Sequence, residues 1–235
     1  MDIGKGRIIG LQRNESMNRR RPHSHDVFAA KRGRMVEALR ARGITDERVL
    51  SAIGSIPRHL FVESALADRA YEAATPPIGH GQTLSSPYTV ALMTQMAQLT
   101  GAETALEVGT GSGYQGAVLA KLVERLITVE RINDLSNRAR KIFNELGLSN
   151  VACVVGDGTV GVARYAPYDV ILVTASGPEI PKPLASQLAE GGRMVAPVKE
   201  GGEERLHLVR RIDGRFKVTR GEVCAFVPLL GKHGF

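Results

Sequence analysis

Apolar residues recur along this chain in two rhythms, and the change between them falls near residue 100. Before it the spacing is helical. Met35, Val36 and Leu39 share one face, and Gly43 stops that helix. Val49, Leu50 and Ile53 share the next, with Thr45 as its cap and Gly54 as its stop. The stretch Pro57-Arg58-His59-Leu60-Phe61-Val62 reads as a connector that anchors an apolar pair. Leu92, Met96 and Leu99 return to helical spacing, with the methionines as core filler. From Glu103 onward short apolar runs take over, and strands are predicted at 104–108, 125–130, 151–155, 168–174 and 193–197. The clearest intervening helix runs from Asp134 as N-cap through Leu135, Ala139, Ile142 and Leu146 to Gly147. Regular strand–helix alternation predicts an α/β fold, a doubly wound, mostly parallel sheet with right-handed crossovers. Residues 205–211 and 222–227 flank Asp213-Gly214 and read as an antiparallel hairpin closing the sheet edge.

Composition narrows the class without changing the fold. The 235 residues are 43% hydrophobic and 23% charged, ordinary for a globular protein. Residues 31–235 are expected to form one domain, with 31–100 as a small helical subdomain and 101–235 as the α/β core. No apolar run approaches the roughly 18 residues a membrane helix needs, and the first residues lack a secretory h-region. Cys153 and Cys224 show neither metal nor CxxC spacing, so free thiols and a cytoplasmic location are expected. The net charge of +7 suggests nucleic acid at first. Its distribution weakens that reading: residues 1–34 hold nine Lys or Arg against three acids, and the remainder is nearly neutral. Residues 1–30 read as a solvated, disordered arm. His23 and His25 within it lack a third ligand, so no metal site is expected.

The chemistry concentrates after the first strand of the sheet, in Glu107-Val108-Gly109-Thr110-Gly111-Ser112-Gly113-Tyr114. Glycines here permit close approach of a ligand to the backbone, and the following helix N-terminus favours polar or anionic groups. Residues 111–116 match the dinucleotide pattern G-x-G-x-x-G literally, but the strand should end at Val108. Counting from there, Gly109, Gly111 and Gly113 form the turn. Glu130 ends the second strand about twenty residues on, where a carboxylate meets ribose hydroxyls. Asp157 in Gly156-Asp157-Gly158 follows the third strand and is placed to accept an adenine amino group. Three acids at three strand ends, with no basic residue for a pyrophosphate, favour S-adenosylmethionine in a Rossmann-like methyltransferase fold.

The long loop Thr75-Pro76-Pro77-Ile78-Gly79-His80-Gly81-Gln82-Thr83-Leu84-Ser85-Ser86-Pro87 carries the second signal. With the segments 106–114, 129–132, 156–158, 173–175, 178–181, 191–195 and 226–229 in order, the chain resembles the protein-L-isoaspartate O-methyltransferase family from about Lys31 to Leu230. Gly81-Gln82-Thr83-Leu84-Ser85 is the specific marker. The resemblance implies methylation of the free α-carboxylate of isoaspartyl residues in damaged proteins, initiating repair through a succinimide. It implies Ser85 as the active-site hydroxyl, with Thr83, Leu84, Ser86 and Val227 shaping the substrate slot. Gly79, His80 and Gly81 would lie against S-adenosylmethionine, and Glu107, Gly109, Gly111, Gly113, Glu130, Asp157 and Gly158 would hold it. Ser176-Gly177 departs from the two alanines common before Pro178-Glu179-Ile180-Pro181, which bears on the shape of the slot.

A carboxylate is already ionised at neutral pH, so no general base is required. Ser85 is expected to orient the substrate rather than attack it, since no base lies at motif spacing. His80 is expected to be a turn residue. Two rivals remain: an RNA or small-molecule methyltransferase using the basic arm, and a non-catalytic S-adenosylmethionine-binding protein. The absence of an Asn/Asp-Pro-Pro-Tyr motif at Thr174-Ala175-Ser176 and the intact Ser85 loop argue against them.

Overall fold

A computed structural model describes residues 27–235, so the arm up to residue 26 and the His23–His25 pair lie outside the described residues. Helix α1 (Ala29–Ala41) buries Met35 and Leu39. Helix α2 (Glu47–Ser55) buries Val49, Leu50 and Ile53 as their spacing predicts, but Asp46 rather than Thr45 caps it. The Asp46 carboxylate accepts from the Arg48 and Val49 amides, placing a full negative charge at the positive end of the helix. The Thr45 amide instead donates to Gln95 Oε1. Two short 3-10 segments, Arg58–Phe61 and Ser64–Arg69, lead to a small hairpin, β1 (Pro77–Gly79) and β2 (Gln82–Thr83). Helix α3 (Pro87–Met96) follows, burying Val90, Met93 and Thr94 instead of the Leu92–Met96 line.

The remaining elements are β3 (Thr104–Val108), α4 (Tyr114–Ala120), β4 (Arg125–Glu130), α5 (Asn133–Glu145), β5 (Val151–Val155), β6 (Tyr168–Val173), α6 (Lys182–Ser186), β7 (Leu188–Glu200), β8 (Glu203–Ile212) and β9 (Arg215–Cys224). They build one seven-stranded sheet in the order β5-β4-β3-β6-β7-β8-β9. Strands β3 to β7 pair in parallel, and β8 and β9 are antiparallel. This is the doubly wound sheet with an antiparallel edge that the alternation predicts. Two extents differ. Strand β7 runs well beyond 193–197 and turns through Gly201-Gly202 into β8. Strand β9 starts at Arg215, directly after Asp213-Gly214, where the prediction began it at 222. Its residues are mostly exposed, so an edge strand needs no apolar run to announce it.

Helices cover both faces of the parallel strands, so Leu106, Leu126, Ile127, Ile171 and Leu172 are all fully buried. Along β3 the alternation sends Leu106 and Val108 to one face and Glu107 to the other. The strand order reverses between β3 and β6, which opens a crevice at their carboxyl ends. Among the described residues no helix is long and apolar enough to cross a membrane.

Candidate active site

A cleft of about 850 Å3, open to solvent, lies at that crevice. The ends of β3, β4 and β6 supply Val108, Val129 and Thr174 to its floor. Gly109 begins one wall in a left-handed conformation, φ +94°, and any Cβ there would collide with Thr174 Oγ1. That hydroxyl donates to the Gly109 and Val108 carbonyls, at 2.6 and 3.0 Å, and so pins the turn to β6. Glu130 stands beside the turn and is only 6% exposed. Its Oε2 accepts from the Gly111 amide and its Oε1 from the Ile132 amide, both at 2.9 Å. A carboxylate oxygen has two acceptor sites, so each keeps capacity for a ligand hydroxyl.

The opposite wall is the loop Gln82, Thr83, Leu84 and Ser85. Its Leu84 side chain is buried, and the Leu84 amide donates to the Pro76 carbonyl at 2.8 Å. Ser85 is partly exposed, and its hydroxyl has no hydrogen-bond partner among the described residues. Val227 to Leu230 close the third side. The Ser176 amide donates to the Val227 carbonyl and the Leu229 amide to the Ser176 carbonyl, at 2.9 and 2.8 Å. The position that departs from the common alanine therefore anchors the closing segment through its backbone, with its own hydroxyl buried and, among the described residues, unpartnered. One cation, Arg131, also lines the cleft. The lining otherwise combines a single acid, backbone amides, the hydroxyl and carboxamide side chains of Gln82, Thr83, Ser85, Thr110, Ser112, Gln115 and Thr174, and apolar groups such as Ile78, Val90 and Leu229. That donor set suits an uncharged nucleoside with adjacent hydroxyls better than a polyphosphate.

The model of the family described as protein-L-isoaspartate(D-aspartate) O-methyltransferase matches residues 30–234. The chain belongs to that family. A protein-L-isoaspartate O-methyltransferase from Trichlorobacter lovleyi is 49% identical over 210 residues, covering 88% of this chain and 97% of that one. Its counterpart from Methanoculleus marisnigri is 50% identical over 214 residues, covering 89% and 96%. Among solved structures, a protein from Plasmodium falciparum described as a protein-L-isoaspartate O-methyltransferase in complex with S-adenosyl-L-homocysteine superimposes with TM-score 0.75. It is 25% identical, over 84% of this chain and 97% of that one.

Not every residue that the isoaspartyl methyltransferase resemblance singles out reaches the cleft. Thr83, Leu84, Ser85, Gly109, Gly111, Glu130, Gly158 and Val227 line it. Glu107 does not: facing α4, it is fully buried behind the glycine turn. Its Oε2 accepts from Thr128 Oγ1 at 2.6 Å, and that hydroxyl lies 2.5 Å from Thr110 Oγ1 in the cleft lining. Burial, together with the charge of Glu130, pushes the Glu107 carboxyl up to about 8 despite the Thr128 bond. Among the described residues its other oxygen, Oε1, is buried with no hydrogen-bond partner. Gly116 lets α4 approach, because a Cβ there would stand 2.7 Å from Glu107 Oε2.

Asp157 also lies outside the lining and is engaged by the chain terminus. Its Oδ2 accepts from the Lys232 amide at 2.8 Å and its Oδ1 from the Thr159 amide and hydroxyl. Against the raising effect of burial, these donors hold its carboxyl below the usual range. Gly113 packs on Ala139 and Phe143 of α5. Ser86 caps α3, accepting from the Thr89 amide. Gly79, His80 and Gly81 form the tip of the β1–β2 hairpin, held by Arg138, which donates to the Ile78 carbonyl at 2.8 Å. His80 Nε2 is 3.4 Å from Asp134 Oδ2, on the outside of that hairpin. Arg131, inside the 129–132 segment, corrects the expectation that no basic residue stands by the turn, because the chain after β4 carries it to the cleft. Sequence reasoning also missed the terminal segment at Lys232, which no local motif marks.

Proposed function

We propose that this cleft transfers a methyl group to the free α-carboxylate of L-isoaspartyl residues in proteins and peptides, with Ser85 as the hydroxyl that orients the carboxylate. Membership of its family makes the chain an S-adenosylmethionine-dependent methyltransferase. The observation that carries the reading is that Ser85, with an unengaged hydroxyl, and Glu130, with both oxygens fixed by amides, line the same cleft. Glu130 would hold the ribose hydroxyls, and the Gly109–Gly111 turn and Gly158 would lie along the cofactor. Asp157, Glu107 and Gly113 serve that site from behind by shaping its turns, and Gly79, His80 and Gly81 by shaping the hairpin. Thr83, Leu84 and Val227 form the substrate slot, and Ser86 fixes the end of the loop. When bound, S-adenosylmethionine supplies an electrophilic methyl group on a sulfonium.

The protein's part in the chemistry is positional. The carboxylate arrives ionised, so no side chain need take a proton. Ser85 donates to one carboxylate oxygen and leaves the other free to align with the methyl carbon. Opposite charges disappear as the new bond forms, so the apolar surfaces of Ile78, Val90 and Leu229 favour the reaction by excluding water. The ester product then loses methanol to attack by the following backbone amide, giving a succinimide that hydrolyses partly to normal aspartate.

We read residues 31–235 as one catalytic domain, 31–100 forming its cap and substrate loop. Two free cysteines support a cytoplasmic location. The concentration of the net positive charge in residues 1–34 supports a reaction independent of nucleic acid. Ser85→Ala tests the site: S-adenosylhomocysteine affinity stays within about twofold while methyl transfer slows by roughly ten- to a hundredfold. Loss of cofactor binding, or an unchanged rate, would overturn the role of Ser85.

A further inference from the structure

Arg58 is completely buried, and no carboxylate pairs with it among the described residues. Its Nε donates to the Ala70 carbonyl at 2.6 Å and its Nη2 to the Ser85 carbonyl at 2.7 Å. The guanidinium carbon lies 4.5 Å from the ring centroid of Tyr114, the first residue of α4. Among the described residues Nη1 is buried with no hydrogen-bond partner, while Tyr114 and Tyr71 act electrostatically on the charge. One cation therefore touches the segment before the hairpin, the substrate loop and the helix that follows the glycine turn. Two carbonyls and a ring are poor compensation for a buried charge, and arginine stays protonated in proteins. A neutral amide side chain could bridge carbonyls without that cost. What remains to be explained is the charge.

We infer that Arg58 is a positioning residue for the substrate: it fixes Ser85 from behind and its unpaired charge draws the isoaspartyl α-carboxylate to that hydroxyl. The inference rests on the reading of Ser85 given above. Nη2 bonds the main-chain carbonyl of Ser85, a residue that itself lines the cleft, so the guanidinium stands directly behind that stretch of the cleft wall. A substrate carboxylate bound there supplies the counter-charge the fold omits. The sign of the effect on rate follows from the chemistry. The carboxylate is anionic in the bound state and loses its charge as the ester forms, so a nearby cation stabilises binding more than the transition state. Arg58 therefore acts on KM and not on kcat. Standing behind the Ser85 carbonyl, it attracts the carboxylate without covering the oxygen that must react.

The test compares an isoaspartyl peptide with the same peptide bearing a carboxamide in place of the α-carboxylate, the latter assayed as a competitive inhibitor. In Arg58→Met, KM for the isoaspartyl peptide is expected to rise by about ten- to a hundredfold, with kcat and the carboxamide inhibition constant within about threefold of wild type. Calorimetric titration with S-adenosylhomocysteine verifies that the cofactor site persists. If both peptides weaken by the same factor, or neither does, the inference is overturned and Arg58 is only a structural clasp. Should the methionine variant fail to fold, Arg58→Lys keeps a cation that burial makes titratable. Its preference for carboxylate over carboxamide should be present near about pH 6 and fall as pH rises, while that of wild type stays level. A pH-independent preference in the lysine variant, equal to that of wild type, would count against the inference. Ser85→Ala in the same assay separates the two claims. An unchanged rate there overturns the reading of Ser85, whereas a slowed Ser85→Ala with equal losses on both peptides in Arg58→Met overturns the role of Arg58 alone.

Discussion

The carboxylate of Glu130 and the backbone amide of Gly111 are joined by a 2.9 Å hydrogen bond in the lining of the cleft. One acid at the end of β4 thus sets the conformation of the turn after β3 and presents its remaining lone pairs to the cleft. Glu130→Ala removes both functions. Calorimetry with S-adenosylhomocysteine should show affinity reduced by roughly a hundredfold, and Glu130→Gln, which keeps one acceptor oxygen, should lose less. Equal affinity in all three proteins would remove Glu130 from the cofactor site.

Glu103, just before β3, and Glu107, within it, respond to pH in opposite directions. Glu107 is raised to about 8 by burial and by Glu130. The unfolded chain releases this proton at ordinary carboxyl values, so folding stability falls as pH rises from about 4.5 to 8 and then levels. Glu107→Gln should match wild type near about pH 5 and exceed it by a few degrees in Tm near about pH 8. A variant less stable than wild type at the higher pH would show that the ionised carboxylate is needed.

Glu103 behaves in the reverse sense. Against the effect of burial, Arg193 at 2.8 Å and the Thr100 and Gly101 amides bring its carboxyl down to about 2. Its contribution is complete above the unfolded value near 4.5 and is lost as pH falls towards 2. Acid unfolding monitored by circular dichroism should shift to higher pH in Arg193→Met. An unshifted acid transition would show that the ion pair adds nothing.

The chain terminus is part of the cleft's support. Lys232 and His233 donate their amides to Asp157 Oδ2 and Thr159 Oγ1, at 2.8 and 3.1 Å, beside the cleft-lining Gly158. Removing residues 231–235 should weaken S-adenosylhomocysteine by about tenfold, the order expected for losing one or two hydrogen bonds to a charged group. The ratio of isoaspartyl to aspartyl methylation should not change. A truncated protein with full cofactor affinity would detach the terminus from the site.

The parallel strands were legible because each is a short apolar run bounded by glycine or an acid, and four of the five predicted strands agree with β3 to β6 to within a residue. The glycine turn and Glu130 were legible for a related reason: local backbone geometry demands those residue types. The direction of Glu107 was not legible because being at a strand end does not say which way a side chain points. Alternation turns Val108 to the cleft floor and Glu107 into the layer beneath α4. The bond that engages Asp157 was not legible because its partner is 75 residues away at Lys232. Arg58 was invisible for the same reason. In a connector it reads as a solvated charge, and only the tertiary arrangement of Ala70, Ser85 and Tyr114 buries it.

The measurement that bears most directly on the assignment is methyl transfer from S-adenosylmethionine to two peptides that differ only in carrying isoaspartate or aspartate at one position. The account predicts base-labile methyl ester on the isoaspartyl peptide alone, retained when residues 1–26 are removed. Equal labelling of both peptides, or of neither, would contradict it.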